Sequence, residues 1–246
     1  MAYSNSAEGI NSVKANKMML AVLAVAAAVC FFGGMVWADE IHDAAQAGDL
    51  EKVQALLKAK PELVKAVTDE LETPLHLAAG AGKLDIARLL IANKAEVDAK
   101  NISRETPLIL ASSWGHRDVV ELLLANNADI HAKDILGMTA LHVTTSGGHK
   151  DVAELLLANK AEVNATTKRG LTPLHMAAMF ARKDLAELLL ANKADMHMKN
   201  SDGETPLALA LKFKKDCSDE KVLRVYDETI AVLRAHESKE SIKSTK

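Results

Sequence analysis

One spacing limits what this chain can fold into. Thr73, Thr106, Thr139, Thr172 and Thr205 are each 33 residues apart, without slippage. Leucine follows each Thr by two residues (Leu75, Leu108, Leu141, Leu174, Leu207). Proline stands between them in every copy but the third, where Ala140 replaces it. The second half of the period repeats as well: ARLLIANKAEVDAK, VELLLANNADIHAK, AELLLANKAEVNAT, AELLLANKADMHMK. A strict period of this length means stacked supersecondary units, each burying its apolar face against the next, rather than one globular core.

Thr172 to Glu204 carries the grammar of one unit. Thr172 is placed to accept a bond from a free backbone donor at a helix start. Pro173 sits just inside, where its missing N–H would have been unpaired anyway. Leu174, Ala177 and Ala178 make a short first helix with a small-residue face that lets a neighbour approach closely. A second helix is expected from about Lys183 to Asn192, with Leu185, Leu188 and Leu189 at helical spacing. The polar stretch ADMHMKNSDG reads as an extended arm ending in a tight turn at Asp202-Gly203.

Helix, turn, helix and hairpin arm at period 33, opening on TPLH, resemble the ankyrin repeat over about residues 39–238. The resemblance implies an all-α solenoid of stacked helix–turn–helix pairs with short β-hairpin loops, about six pairs including caps. The expected layout is a capping unit at 39–72, four repeats at 73–105, 106–138, 139–171 and 172–204, a C-terminal cap at 205–238, and a frayed tail at 239–246. The chain departs from the family pattern in two ways. Ile109 and Ala208 replace the TPLH histidine in two units, and Lys94, Asn127, Lys160 and Lys193 stand where the family usually closes the second helix with Gly. A left-handed residue there costs a lysine roughly 1 kcal/mol relative to glycine. The preceding Asn93, Asn126, Asn159 and Asn192 are placed to share the capping.

The first 38 residues stand apart from the repeats. Lys14 and Lys17 precede an uncharged apolar run from Met18 to Val36, closed by Val36-Trp37-Ala38. A basic lead, an apolar middle and a small-residue exit are the anatomy of a secretory signal peptide cut after Ala38. The run is also nearly long enough for an uncleaved membrane anchor. Either version places the repeats outside the cytoplasm, periplasmic or secreted in a bacterial setting, or held at the membrane if uncleaved. Cleavage would remove Cys30 and leave Cys217 alone, so no internal disulfide could form. It would leave 28 basic and 32 acidic residues with no basic stripe, which argues against nucleic acid as a partner.

Nine histidines invite a metal reading, yet most fall on repeat positions. His76, His142 and His175 occupy the TPLH slot, with His42 at its counterpart in the first unit. His116 and His149 open second helices, and His131 and His197 lie in the arms. Side chains one repeat apart are separated by about 10 Å, too far to share a zinc ion without a dedicated further ligand. The resemblance implies that the TPLH imidazole bridges neighbouring units by hydrogen bonds. HExxH, CxxC and phosphate-cradling glycine loops are absent from the sequence, so no catalytic residue, cofactor or metal is expected.

The aromatics are more informative because only 3% of the chain is aromatic. Trp114, Phe180 and Phe213 each lie eight residues after a repeat Thr, and in the family this place faces a concave groove. Exposed aromatics are favoured anchors of protein interfaces. Ser113 and Met179 precede two of them. The arms add Ile102, Ile135, Leu136, Met138, Lys168, Arg169 and Leu171 near turns where polar residues would be cheaper to expose. Each apolar group has two readings, packing on an adjacent repeat or facing a partner, and the shared slot tilts the set toward a binding groove. The expectation is a monomeric, non-catalytic scaffold for a protein partner. A membrane-tethered spacer, or an accessory factor to an envelope enzyme, are the alternatives.

Overall fold

A computed structural model describes residues 39–244, and over them the chain is helical, with no residue in a strand. The expected signal segment, its cut after Ala38 and the alternative anchor lie outside the described residues. The helices are α1 (39–47), α2 (Leu50–Ala59), α3 (Pro74–Gly80), α4 (Leu84–Ala92), α5 (Pro107–Ser113), α6 (Arg117–Ala125), α7 (Ala140–Gly147), α8 (Lys150–Ala158), α9 (Pro173–Met179), α10 (Lys183–Ala191), α11 (Pro206–Lys215) and α12 (Glu220–Ser244), with a 3-10 turn at Pro61–Lys65. They form six consecutive pairs, the solenoid that the period implies. No helix among the described residues is long and apolar enough to cross a membrane.

Local chemistry explains each boundary. The hydroxyls of Thr73, Thr106, Thr172 and Thr205 accept the backbone N–H three residues on, and Pro follows each at the first helical position. Second helices end where Lys94, Asn127, Lys160 and Lys193 turn left-handed, at φ between +62° and +67°. Beside them Asn93, Asn126, Asn159 and Asn192 donate from Nδ2 to the carbonyls of Leu89, Leu122, Leu155 and Leu188 at 2.8–2.9 Å. Those bonds serve carbonyls of the last turn and help hold a conformation that a lysine adopts at a cost.

Packing runs along the stack. One continuous cluster reaches from Ile41 through Leu75, Leu108, Leu141 and Leu174 to Leu233. Leu156 and Leu189 are fully buried. The first helices α3, α5, α7, α9 and α11 pack on one another more intimately than the second helices α2, α4, α6, α8 and α10 do. Small residues such as Ala78, Ala111, Ala177 and Ala178 permit that approach.

The arms follow a hairpin path without a strand ladder. Each closes on itself, as where Asn101 N–H donates to Glu105 O at 3.1 Å, and its tip then bonds to the tip before it. Beyond residue 238 α12 continues to Ser244. No glycine or proline follows Pro206, so nothing in the sequence breaks that helix. The Tyr226 hydroxyl donates to the Met179 carbonyl at 2.6 Å and pins α12 to the end of α9.

Candidate functional site

The histidines of the TPLH slot are structural pins. The backbone N–H of Thr73, Thr139 and Thr172 donates to Nδ1 of His76, His142 and His175 at 3.0–3.2 Å, and the threonine hydroxyls lie 2.8–2.9 Å from the same nitrogens. Nδ1 is therefore the acceptor. Nε2 carries the proton and donates to the carbonyls of Glu105, Leu171 and Glu204, the last residue of each arm just before the next unit begins, at 3.0–3.1 Å. All three rings are fully buried, and burial pushes their pKa values down, that of His142 to about 4. A second ladder runs the other way. His116, His149 and Arg182 reach back to the carbonyls of Gly80, Ser113 and Ser146 at 3.0–3.2 Å. Gly115 has φ +75°, and a Cβ there would lie 2.4 Å from His149 Nδ1, so only glycine fits that turn. Among the described residues no group of three His, Cys, Asp or Glu side chains is arranged to hold a metal ion.

What remains for function is the first-helix side and its rim of tips. Trp114 and Phe180 are the residues that end α5 and α9, where side chains leave the packed layer, and they are 67% and 47% exposed. Phe213, one unit further on α11, is 37% exposed. Ala81 and Gly147 hold the same place in the flanking units, so Trp114 stands between two small neighbours. Ser113 is half-buried with its carbonyl engaged by His149. Ile135 and Leu136 form the third tip and are exposed, as are Lys168 and Arg169 on the fourth.

Three of the apolar residues read as partner-facing turn inward. Leu171 is buried with Met176 and Leu209 in a small cluster separate from the main core, and Met138 and Met179 pack against it half-buried. Leu171 and Met138 share the last position of their arms, where other units carry Glu72, Glu105 and Glu204. That position lies against the ends of first helices, so an apolar side chain there is drawn into the stack. Leu171 thus underlies the surface without forming part of it.

The tips also contain residues that sequence reading passed over. Asp69 and Glu70 form the first tip and are exposed, with Leu71 beside them 49% exposed. They correspond to Ile102 and Ser103 at the same period of 33, a signal obscured because the first unit is one residue longer at its start. At the base of these tips burial, joined by the charges of Glu70 and Glu105, holds the Glu72 carboxyl above the usual range.

Comparison with known proteins agrees with this architecture. The family profile described as ankyrin repeats (three copies) matches residues 41–134 and 133–200, well over half of the chain. An ankyrin repeat protein of fowlpox virus (strain NVSL) is 40% identical over 65 residues, which is 26% of this chain. The match spans only 16% of the viral protein's length.

Proposed function

Because the chain belongs to the ankyrin repeat family, we propose that it is a non-catalytic scaffold that binds a partner protein across its first-helix groove and the rim of tips. One observation carries this reading: Trp114, Phe180 and Phe213 occupy one repeat slot and all three are exposed. Equivalent places in a stack point the same way, so the rings belong to a single surface. Large apolar groups held in water by a rigid backbone lose little entropy on association, and truncating such an anchor commonly weakens binding by 2 kcal/mol or more, about thirtyfold. Partner capture should therefore fail for Trp114→Ala and Phe180→Ala while their melting temperatures stay near that of the parent chain. Changes at Glu121, Glu154 and Glu187, exposed on the second helices, should leave capture intact. Early melting of both aromatic variants with normal capture when folded would make the rings core and defeat the reading.

The scaffold is a monomer, exported in a bacterial envelope by its N-terminal segment and cut after Ala38. The lysines before the apolar run and the Val36-Trp37-Ala38 exit support this. Mass spectrometry of the exported form should find Asp39 at its N-terminus. A second reading, a scaffold tethered by an uncleaved segment, is favoured by the length of the run from Met18 to Val36. Intact residues before Asp39 on a membrane-bound form would select it.

A further inference from the structure

The tips form a continuous ridge whose chemistry changes in order. Ile102, Ile135, Lys168 and Ser201 each donate a backbone N–H to the tip before, reaching the carbonyls of Glu70, Ser103, Leu136 and Arg169 at 2.8–2.9 Å. These bonds align two side-chain rows along the stack. The leading row reads Asp69, Ile102, Ile135, Lys168, and the trailing row reads Glu70, Ser103, Leu136, Arg169. Neighbours in the trailing row are within reach of each other, since Arg169 and Asp202 form an ion pair at 3.0 Å. Over the first four tips both rows pass from acid through an uncharged middle to base, the trailing row then ending on Asp202, which pairs with Arg169. Ile102 and Leu136 in that middle are 63% and 60% exposed. Beside the basic end lies a depression of about 530 Å³, lined by Arg104, Lys133 and Lys168 together with Asp134.

We infer that the occupant of this ridge is an extended segment of a partner protein with one basic end, an apolar middle and one acidic end. The inference rests on the protein-binding reading above and adds the partner's chemistry and orientation. The basic end lies over Asp69 and Glu70, the apolar middle covers Ile102, Ile135 and Leu136, and the acidic end meets Lys168 and competes with Asp202 for Arg169. From the first tip to the fourth there are three intervals of about 10 Å, a span matched by roughly nine residues of extended chain. A segment of uniform charge would gain at one end and be repelled at the other, so the order of charges selects the partner and sets its direction.

Three synthetic peptides sharing one apolar middle test this, flanked by lysines at one end and glutamates at the other, by lysines at both ends, or by glutamates at both. Fluorescence anisotropy with the full chain should show the mixed-charge peptide binding at least about tenfold tighter than either uniform one, less so as salt is raised. Asp69→Lys with Glu70→Lys, or Lys168→Glu with Arg169→Glu, should each weaken it about tenfold without changing the circular dichroism spectrum. Combining all four changes should restore binding, because the peptide can then lie the other way round. Equal binding of the three peptides, indifference of folded charge-reversed chains, or no binding of any peptide would overturn the inference. If partner capture still depended on Trp114 and Phe180 in that case, the groove reading would stand and only the charge order would fall.

Discussion

At Ser112 a buried hydroxyl oxygen has no hydrogen-bond partner among the described residues, whereas the equivalent places one unit before and two units after carry Ala79 and Ala178. Thr145, in the same slot, satisfies its hydroxyl on the Leu141 carbonyl at 2.7 Å. An unpaired buried hydroxyl costs about 1–3 kcal/mol. Ser112→Ala should therefore raise stability by roughly 1 kcal/mol, read as a higher urea midpoint at unchanged slope, and a lower midpoint would mean that the oxygen is satisfied. The buried imidazoles act in the opposite sense on acidification. His76, His142 and His175 accept at Nδ1, so protonation would break a cap as well as charge a buried ring. Their pKa values are lowered in the folded chain, that of His142 from 6.5 to about 4. The unfolded chain then takes protons that the folded chain refuses. Full stability is present above pH 6.5 and is lost as pH falls from there toward 4, by about 3 kcal/mol for His142 alone. Urea midpoints should already decline between about pH 6.5 and pH 5, above the carboxylate range, and a flat profile there would place these rings in solvent.

At the scale of the element, the second helices close on a strained residue. Lys94, Lys160 and Lys193 hold φ +67° with exposed side chains, so their β-carbons are a cost with no packing gain in return. Lys160→Gly should stabilise by up to about 1 kcal/mol, and the three changes together should be close to additive because they lie in separate units. Thermal melts of the single and triple variants measure this; a loss of stability would mean that the lysine stems shield the helix ends. Ala181 shows the same strain at φ +52°, in a turn where the three preceding units have Gly82, Gly115 and Gly148. The first-helix caps carry no such strain, since Thr-Pro suits the extended conformation before the helix and the helical one after it.

Across the whole molecule, stability belongs to the interfaces between units. Leu189 is fully buried where α10 meets the first helices, and Leu189→Ala should cost on the order of 2–5 kcal/mol in chemical denaturation. Glu187→Ala on the exposed second-helix surface should change stability by less than about 0.5 kcal/mol. Similar losses for both would mean that the chain does not unfold as a stack of coupled units. The exposed ion pairs at the C-terminal end, Lys183–Glu228 and Lys212–Glu204, add little to this because water and salt screen them.

Much of this was legible in the sequence, because a period is a one-dimensional property. Five threonines at 33-residue intervals set the register of five of the six units, and Pro after four of them marks the helix starts. The TPLH histidines and the lysines in glycine places follow from the same register. The exposure of Trp114 and Phe180 was also foreseeable, since a residue ending a first helix leaves the packed layer. The tertiary structure alone decided which arm residues are surface. Leu136 and Leu171 look alike in sequence, yet one stands on a tip and the other fills a gap beside Met176 and Leu209, two residues from neighbouring first helices. It also ordered the tips into rows, because backbone bonds between units, 32 residues apart in the chain, bring Asp69 and Arg169 onto one ridge. Burial and alignment depend on how closely the units approach and in which register. Those quantities arise only when the repeats pack on one another.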